Sequence, residues 1–128
     1  MEVIFDSSQQ VFHLRNQKLS YLIQLERFGY VTHLYFGQRL EHYSGIAAYP
    51  RIHRDFEVES VEFGADVRDF SVGNLLYEYS QYNRGDFRHP ALVLRHADGS
   101  TVSDFRYDRH EIVAGSPTLE GLPHAKVD

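Results

Sequence analysis

Residues 19–26 alternate: Leu19, Tyr21, Ile23 and Leu25 fall between Ser20, Gln24 and Glu26. Successive side chains on an extended backbone point to opposite faces, so a period of two predicts a half-buried strand and not a helix. Leu22 interrupts the polar face, which predicts that this face is partly covered as well. Val11 to Arg15 reads as a preceding strand, with Asn16-Gln17 as the hairpin turn, because Asn tolerates positive φ. Tyr30 to Phe36 is aromatic and β-branched, enters from Gly29 and stops at Gly37.

Further on, Pro90 to His96 and Thr101 to Tyr107 flank Ala97-Asp98-Gly99-Ser100, and Asp-Gly between two such runs predicts a tight hairpin. His110 to Ala114 is a last short strand, closed by Gly115 and Pro117. Glu41 to Ser60 carries Gly45, Pro50 and mixed charges without a sustained period and reads as a long loop, a class of segment that is often functional. Val61 to Tyr82 is ambiguous: Leu75-Leu76-Tyr77 fits a strand or one helical turn. The tail from Ser116 to Asp128 reads as extended. There is no internal repeat. Short strands punctuated by turns predict an all-β fold, an antiparallel β-sandwich, as one domain over residues 1–128.

Composition narrows the function. Nine Phe and nine Tyr without a Trp suit pleated surfaces. A net charge of -5 lacks the basic face that nucleic acid requires. No run of 18 apolar residues predicts a membrane span, and Met1-Glu2-Val3-Ile4-Phe5-Asp6 is not expected to be a signal peptide. Zero Cys excludes thiol chemistry and fits a cytoplasmic location.

Eight His invite a metal, but no His-x-x-x-His, no His-x-His on a strand and no Cys accompanies them. His13, His33, His96 and His110 fall singly on predicted strands and read as exposed or hydrogen-bonded; no metal site is expected. Glycosidase chemistry uses two carboxylates about 5 Å apart when configuration is retained. Asp55, Glu57 and Glu59 in the long loop and Asp86 in Gly85-Asp86-Phe87-Arg88 are the candidates, yet a small sandwich offers little concavity for a sugar. Asp86, Phe87 and Arg88 read instead as a structural motif: Asp86 accepts backbone N–H groups in a turn, and Arg88 holds a carboxylate or carbonyl by its planar fork. Tyr77, Tyr79, Tyr82 and Phe87 suit either a sugar-stacking platform or a core or interdomain surface, and without Trp the second reading is favoured.

The run Glu78-Tyr79-Ser80, Gly85-Asp86-Phe87-Arg88, Pro90-Ala91, Asp98-Gly99-Ser100, Asp104-Phe105-Arg106-Tyr107, His110, Gly115 and Gly121-Leu122-Pro123 is specific. Together with His33-Leu34-Tyr35-Phe36-Gly37 and Arg39-Leu40, it resembles the start of the α-galactosidases of glycoside hydrolase family 36. The resemblance implies the first part of that family's N-terminal β-supersandwich. The catalytic aspartates would lie in a downstream (β/α)8 barrel and have no counterpart here. It implies retaining hydrolysis of terminal α-galactosides of the melibiose or raffinose type by the whole enzyme, without metal or organic cofactor. The partners so implied are the barrel of the same chain, further copies in a homo-oligomer, and α-galactosides.

By the same resemblance the long loop, through Arg51, Arg54 and Asp55, is expected to reach substrate across a subunit interface. An isolated chain of this kind is expected to be inactive, a structural or oligomerisation segment. A free-standing carbohydrate-binding or protein-interaction sandwich is the alternative. Part of a larger sandwich leaves edges and apolar faces uncovered, which predicts a dimer or higher oligomer.

Overall fold

The structure is a computed structural model. It describes residues 1–45, 63–64, 67, 70–82, 85–115, 120–121 and 123. Four strands form an antiparallel meander in chain order: β1 (Glu2–Asp6), β2 (Val11–Arg15), β3 (Leu19–Leu25) and β4 (Val31–Gln38). The fold class is all-β and antiparallel, as expected. β1 is an additional strand; Val3, Ile4 and Phe5 are too short a run to show a period by themselves.

The first two of the three strand connections rest on side-chain oxygens. In the first, Asp6 Oδ1 accepts Ser8 N–H (2.9 Å) and Gln9 N–H (3.1 Å), while Gln10 takes φ 56°. In the second, Asn16 Oδ1 accepts Lys18 N–H and Leu19 N–H, both at 2.8 Å. Asn16 therefore works by its side chain and not by the positive φ that its type suggested.

β3 shows why its alternation misled. The register against β4 shifts between Leu22 and Ile23, where Leu34 of β4 is the extra residue, while β3 stays in continuous register with β2 and keeps its two-residue period. Burial on its two faces is what departs from the expectation. Leu22 (0% exposed) and Leu25 are both buried, whereas Leu19 is exposed and Tyr21 and Ile23 are half-buried. The better-covered face carries Ser20 and Leu22, opposite to the expected one. There Val11, Leu22 and Leu34 form a core that Tyr35, Leu40 and Tyr43 cover. On the other face, Phe5 and Phe12 meet His110 at ring separations of 4.5 and 4.7 Å, so residues 107–110 cap that end of the sheet.

A second core gathers Tyr30, Phe63, Phe70, Val72 and Leu75, flanked by Phe28, Val67 and Tyr77. Phe28 reaches it from the 3-10 turn Arg27–Gly29 with φ 63°, its ring stacked on Phe63 at 4.4 Å. A second 3-10 turn, Val72–Asn74, precedes Leu75–Tyr77, which runs extended along the outer edge of β4. His33 N–H donates to Leu76 C=O (2.7 Å) and Glu78 N–H to Val31 C=O (3.1 Å). The ambiguous Leu75-Leu76-Tyr77 is thus an edge segment that blunts an open strand.

The expected strands over Pro90 to His96, Thr101 to Tyr107 and His110 to Ala114 do not form a ladder among the described residues. The turn between the first two closes, with His96 N–H to Ser100 C=O at 2.9 Å and Gly99 at φ +85°. The second arm spends its N–H groups elsewhere. Ser103 N–H donates to Tyr82 C=O (2.6 Å), Phe105 N–H to Gln81 Oε1 (2.6 Å) and Tyr107 N–H to Gly29 C=O (2.7 Å). From Ser103 to Tyr107 every second N–H is thus taken by other segments, so beyond the turn this arm's backbone pairs away from the first arm. The Glu41 to Ser60 loop is described only through Gly45, and without regular structure there.

Candidate functional site

Gly85 opens its turn at φ +88°, which favours a residue without Cβ. The Asp86 side chain then turns inward and is almost fully buried, while Arg88 closes over it. Asp86 Oδ1 accepts Arg88 N–H (3.1 Å) and Arg88 Nε (2.8 Å), and Oδ2 accepts Arg88 Nη2 (3.0 Å). The remaining reach of the guanidinium goes to the Leu75 and Val72 carbonyls. Its Cζ lies 4.9 Å from the Tyr77 ring centroid. Asp86 and Arg88 are thus one clamp joining the 85–88 turn to residues 72–75. Phe87, between them, is 92% exposed.

Tyr77, Tyr79, Tyr82 and Phe87 do not make one platform. Tyr77 packs into the second core, its hydroxyl buried without a hydrogen-bond partner, and burial first, then Tyr30 and Asp86, pushes its pKa up. Tyr79, Tyr82 and Phe87 are exposed.

A polar cluster crosses from the sheet to the edge segment. Glu78 accepts from Tyr21 Oη on one oxygen and faces His33 Nδ1 (3.1 Å) on the other. Burial, and then that hydrogen bond, raises the Tyr21 phenol to about 12. A third set lies in the first core: Leu40 N–H donates to Ser20 Oγ (2.8 Å), which lies 2.8 Å from His13 Nε2. Ser20 Oγ therefore links the Leu40 backbone to the His13 ring, and the His13 tautomer sets which of the two groups donates in the second bond. Burial, then the Arg15 charge, lowers the His13 pKa. This Ser–His pair is closed to solvent and holds the chain at Leu40; it offers no nucleophile.

His96 and His110 are bonded too, to Val102 C=O (3.0 Å) and Tyr107 Oη (2.6 Å). Among the described residues, no group of three His, Asp or Glu side chains could hold a metal ion. One groove of about 560 Å³ at the end of the sheet is lined by Met1, Glu2, Arg15, Asn16, Gln17, Lys18 and Arg39, with Glu2 its single carboxylate. That carboxylate is bound to Arg15 (2.7 Å), so the groove has no pair of free acids. Arg51, Arg54, Asp55, Glu57 and Glu59 lie outside the described residues, as does Leu122. Sequence reading missed the Tyr21–His33–Glu78 and His13–Ser20–Leu40 sets. Each joins residues far apart in the chain, and period-two patterning carries no signal for such pairs.

Residues 29–128 match the model of the glycosyl hydrolase family 36 N-terminal domain. The chain is 41% identical over its full 128 residues to α-galactosidase AgaA of Geobacillus stearothermophilus, and 40% identical over 126 residues to α-galactosidase 1 of Pediococcus pentosaceus. In both cases it spans 17% of the relative's length. Among solved structures, it superposes on α-galactosidase AgaB of Geobacillus stearothermophilus with a TM-score of 0.82 and 38% identity. That match covers 99% of this chain and 17% of AgaB. A variant of AgaA solved in complex with raffinose gives a TM-score of 0.77 at 42% identity, over 92% of this chain and 16% of the other. No helix of the described residues is long and apolar enough to cross a membrane.

Proposed function

Because this chain belongs to glycoside hydrolase family 36, as its N-terminal domain, we propose that it is the non-catalytic structural segment of a retaining α-galactosidase. The whole enzyme would act on terminal α-galactosides of the melibiose and raffinose type. The observation that carries the proposal is the end-to-end match to AgaA, in which this segment is 17% of the enzyme. The site geometry supports it. The candidate carboxylate Asp86 is committed to Arg88 and buried, and Glu78 is held by Tyr21 and His33. Neither is a free acid facing a pocket, which hydrolysis would need.

Assembly belongs to the same proposal. The segment contributes to a homo-oligomer, and the stretch containing Arg51, Arg54 and Asp55 contacts the galactoside bound by a neighbouring subunit. The test is the p-nitrophenyl α-galactoside assay of this chain beside the full polypeptide that carries it. Turnover by the full polypeptide alone is expected; turnover by the 128-residue chain alone would refute the non-catalytic assignment.

A further inference from the structure

The Gly85–Arg88 turn is held more tightly than its exposed position requires. Four of the five guanidinium N–H groups of Arg88 are directed inward, to the Asp86 carboxylate and the Val72 and Leu75 carbonyls. The Gly85 carbonyl packs so closely on Gly73 that a Cβ there would lie 3.2 Å from it. Between these fixed points the Phe87 ring is exposed more than any other aromatic side chain among the described residues. A held turn thus presents a large apolar ring that gains no burial within the described residues. A large exposed ring on a fixed backbone is suited to anchor an interface.

The surroundings extend the surface. Ser80 and Gln81 lie beside Ala91 and Leu92, tied by Ala91 N–H to Ser80 C=O (2.9 Å) and by the parallel pairing of Gln81 with Leu92. Exposed Leu76 and Tyr79 precede the first pair in the chain, and exposed Val93 follows the second. Asp86 is buried and Arg88 directs four of its five guanidinium N–H groups inward, so the turn presents few polar groups to a sugar beside one large apolar ring.

The occupant follows from chain length. AgaB keeps this fold as 17% of a single polypeptide. A face on such a segment meets the rest of its own chain at an effective concentration near millimolar, far above that of a second copy in solution. We infer that Phe87 anchors an intramolecular interface. Its ring enters an apolar pocket in the remainder of the α-galactosidase polypeptide, and Asp86 and Arg88 are the positioning residues that hold it out. This rests on the reading of the chain as the N-terminal segment of that enzyme.

The experiment is Phe87→p-benzoylphenylalanine in the full polypeptide, irradiated after mixing ¹⁵N-labelled and unlabelled subunits. Cross-linked peptides from outside the segment, with both halves carrying one isotope, are expected. Mixed-isotope cross-links would assign the surface to a second copy and overturn the inference. Absence of cross-links, or their suppression by melibiose, would overturn it too. In parallel, Phe87→Asp is expected to lower the soluble yield of the full polypeptide about tenfold and Phe87→Leu to leave it near that of the wild type; equal yields would contradict the anchor. The reading beneath it has its own readout: the wild-type polypeptide hydrolyses p-nitrophenyl α-galactoside or it does not, whatever Phe87 touches.

Discussion

Arg88 grips the Asp86 carboxylate with two parallel bonds, Nε to Oδ1 at 2.8 Å and Nη2 to Oδ2 at 3.0 Å, although only two positions separate the residues. The carboxylate is buried, so removing the cation leaves a charge without a partner. Arg88→Ala is expected to destabilise the chain by about 3 kcal/mol, at the low end for buried pairs because Arg88 keeps one side in solvent. Arg88→Lys should restore little, since an ammonium cannot span both carboxylate oxygens and two carbonyls. Urea denaturation checks both; a change below about 0.5 kcal/mol for Arg88→Ala would deny the clamp a structural role.

His13 gives the fold a pH dependence. Burial, then Arg15, holds its pKa below 6.5 in the folded state, so in the window just below that value the unfolded chain binds more protons. Stability is then present in full above pH 6.5 and falls as pH drops below it. Denaturation midpoints from pH 7 to 5 should decline, and His13→Gln should flatten the decline. The other histidines are common to both proteins, so the difference isolates His13; identical profiles would contradict the assignment.

Gly29 carries a conformational requirement. Its φ is +83°, and a Cβ there would stand 3.4 Å from Arg106 Cβ and 3.7 Å from Tyr107 N. Its carbonyl also accepts Tyr107 N–H (2.7 Å). Gly29→Ala is expected to cost about 1–2 kcal/mol in thermal or urea unfolding. An unchanged midpoint would mean that the 28–29 turn relaxes freely.

What the sequence made legible was local. β2, β3 and most of β4 were readable because their apolar residues recur within single strands, and the Asp98-Gly99 turn because its chemistry is contained in a few residues. The better-covered face of β3 was misread: Leu22 is buried because Leu34, Leu40 and Tyr43, which follow β3 in the chain, pack over its face, and Leu22 among polar neighbours was the one visible sign. The partners of Thr101 to Tyr107 were hidden for a different reason. Gln81, Tyr82 and Gly29 are distant in the chain, and backbone pairing leaves no mark on composition. At the site, residue type suggested Asp86 as an acceptor in a turn and Arg88 as a holder of a carboxylate or carbonyl, whereas nothing in the sequence marked their pairing with each other or the anchorage of Arg88 to Val72 and Leu75.

The prediction for Arg54 and Asp55 concerns the full enzyme. Replacing Arg54 and Asp55 together with Ala should raise KM for melibiose several-fold while kcat changes little, since contacts made equally in ground and transition states affect binding alone. Unchanged kinetics would remove these residues from the substrate's surroundings.

The most direct measurement is hydrolysis of p-nitrophenyl α-galactoside by the 128-residue chain, with calorimetric titration of galactose, melibiose and raffinose into the same sample. The account predicts no turnover and no heat of binding from the segment alone, and turnover once it is joined to the rest of its polypeptide. Sugar binding by the isolated chain would make it a carbohydrate-binding module, and turnover would place a catalytic pair within these 128 residues; either result would contradict a purely structural segment.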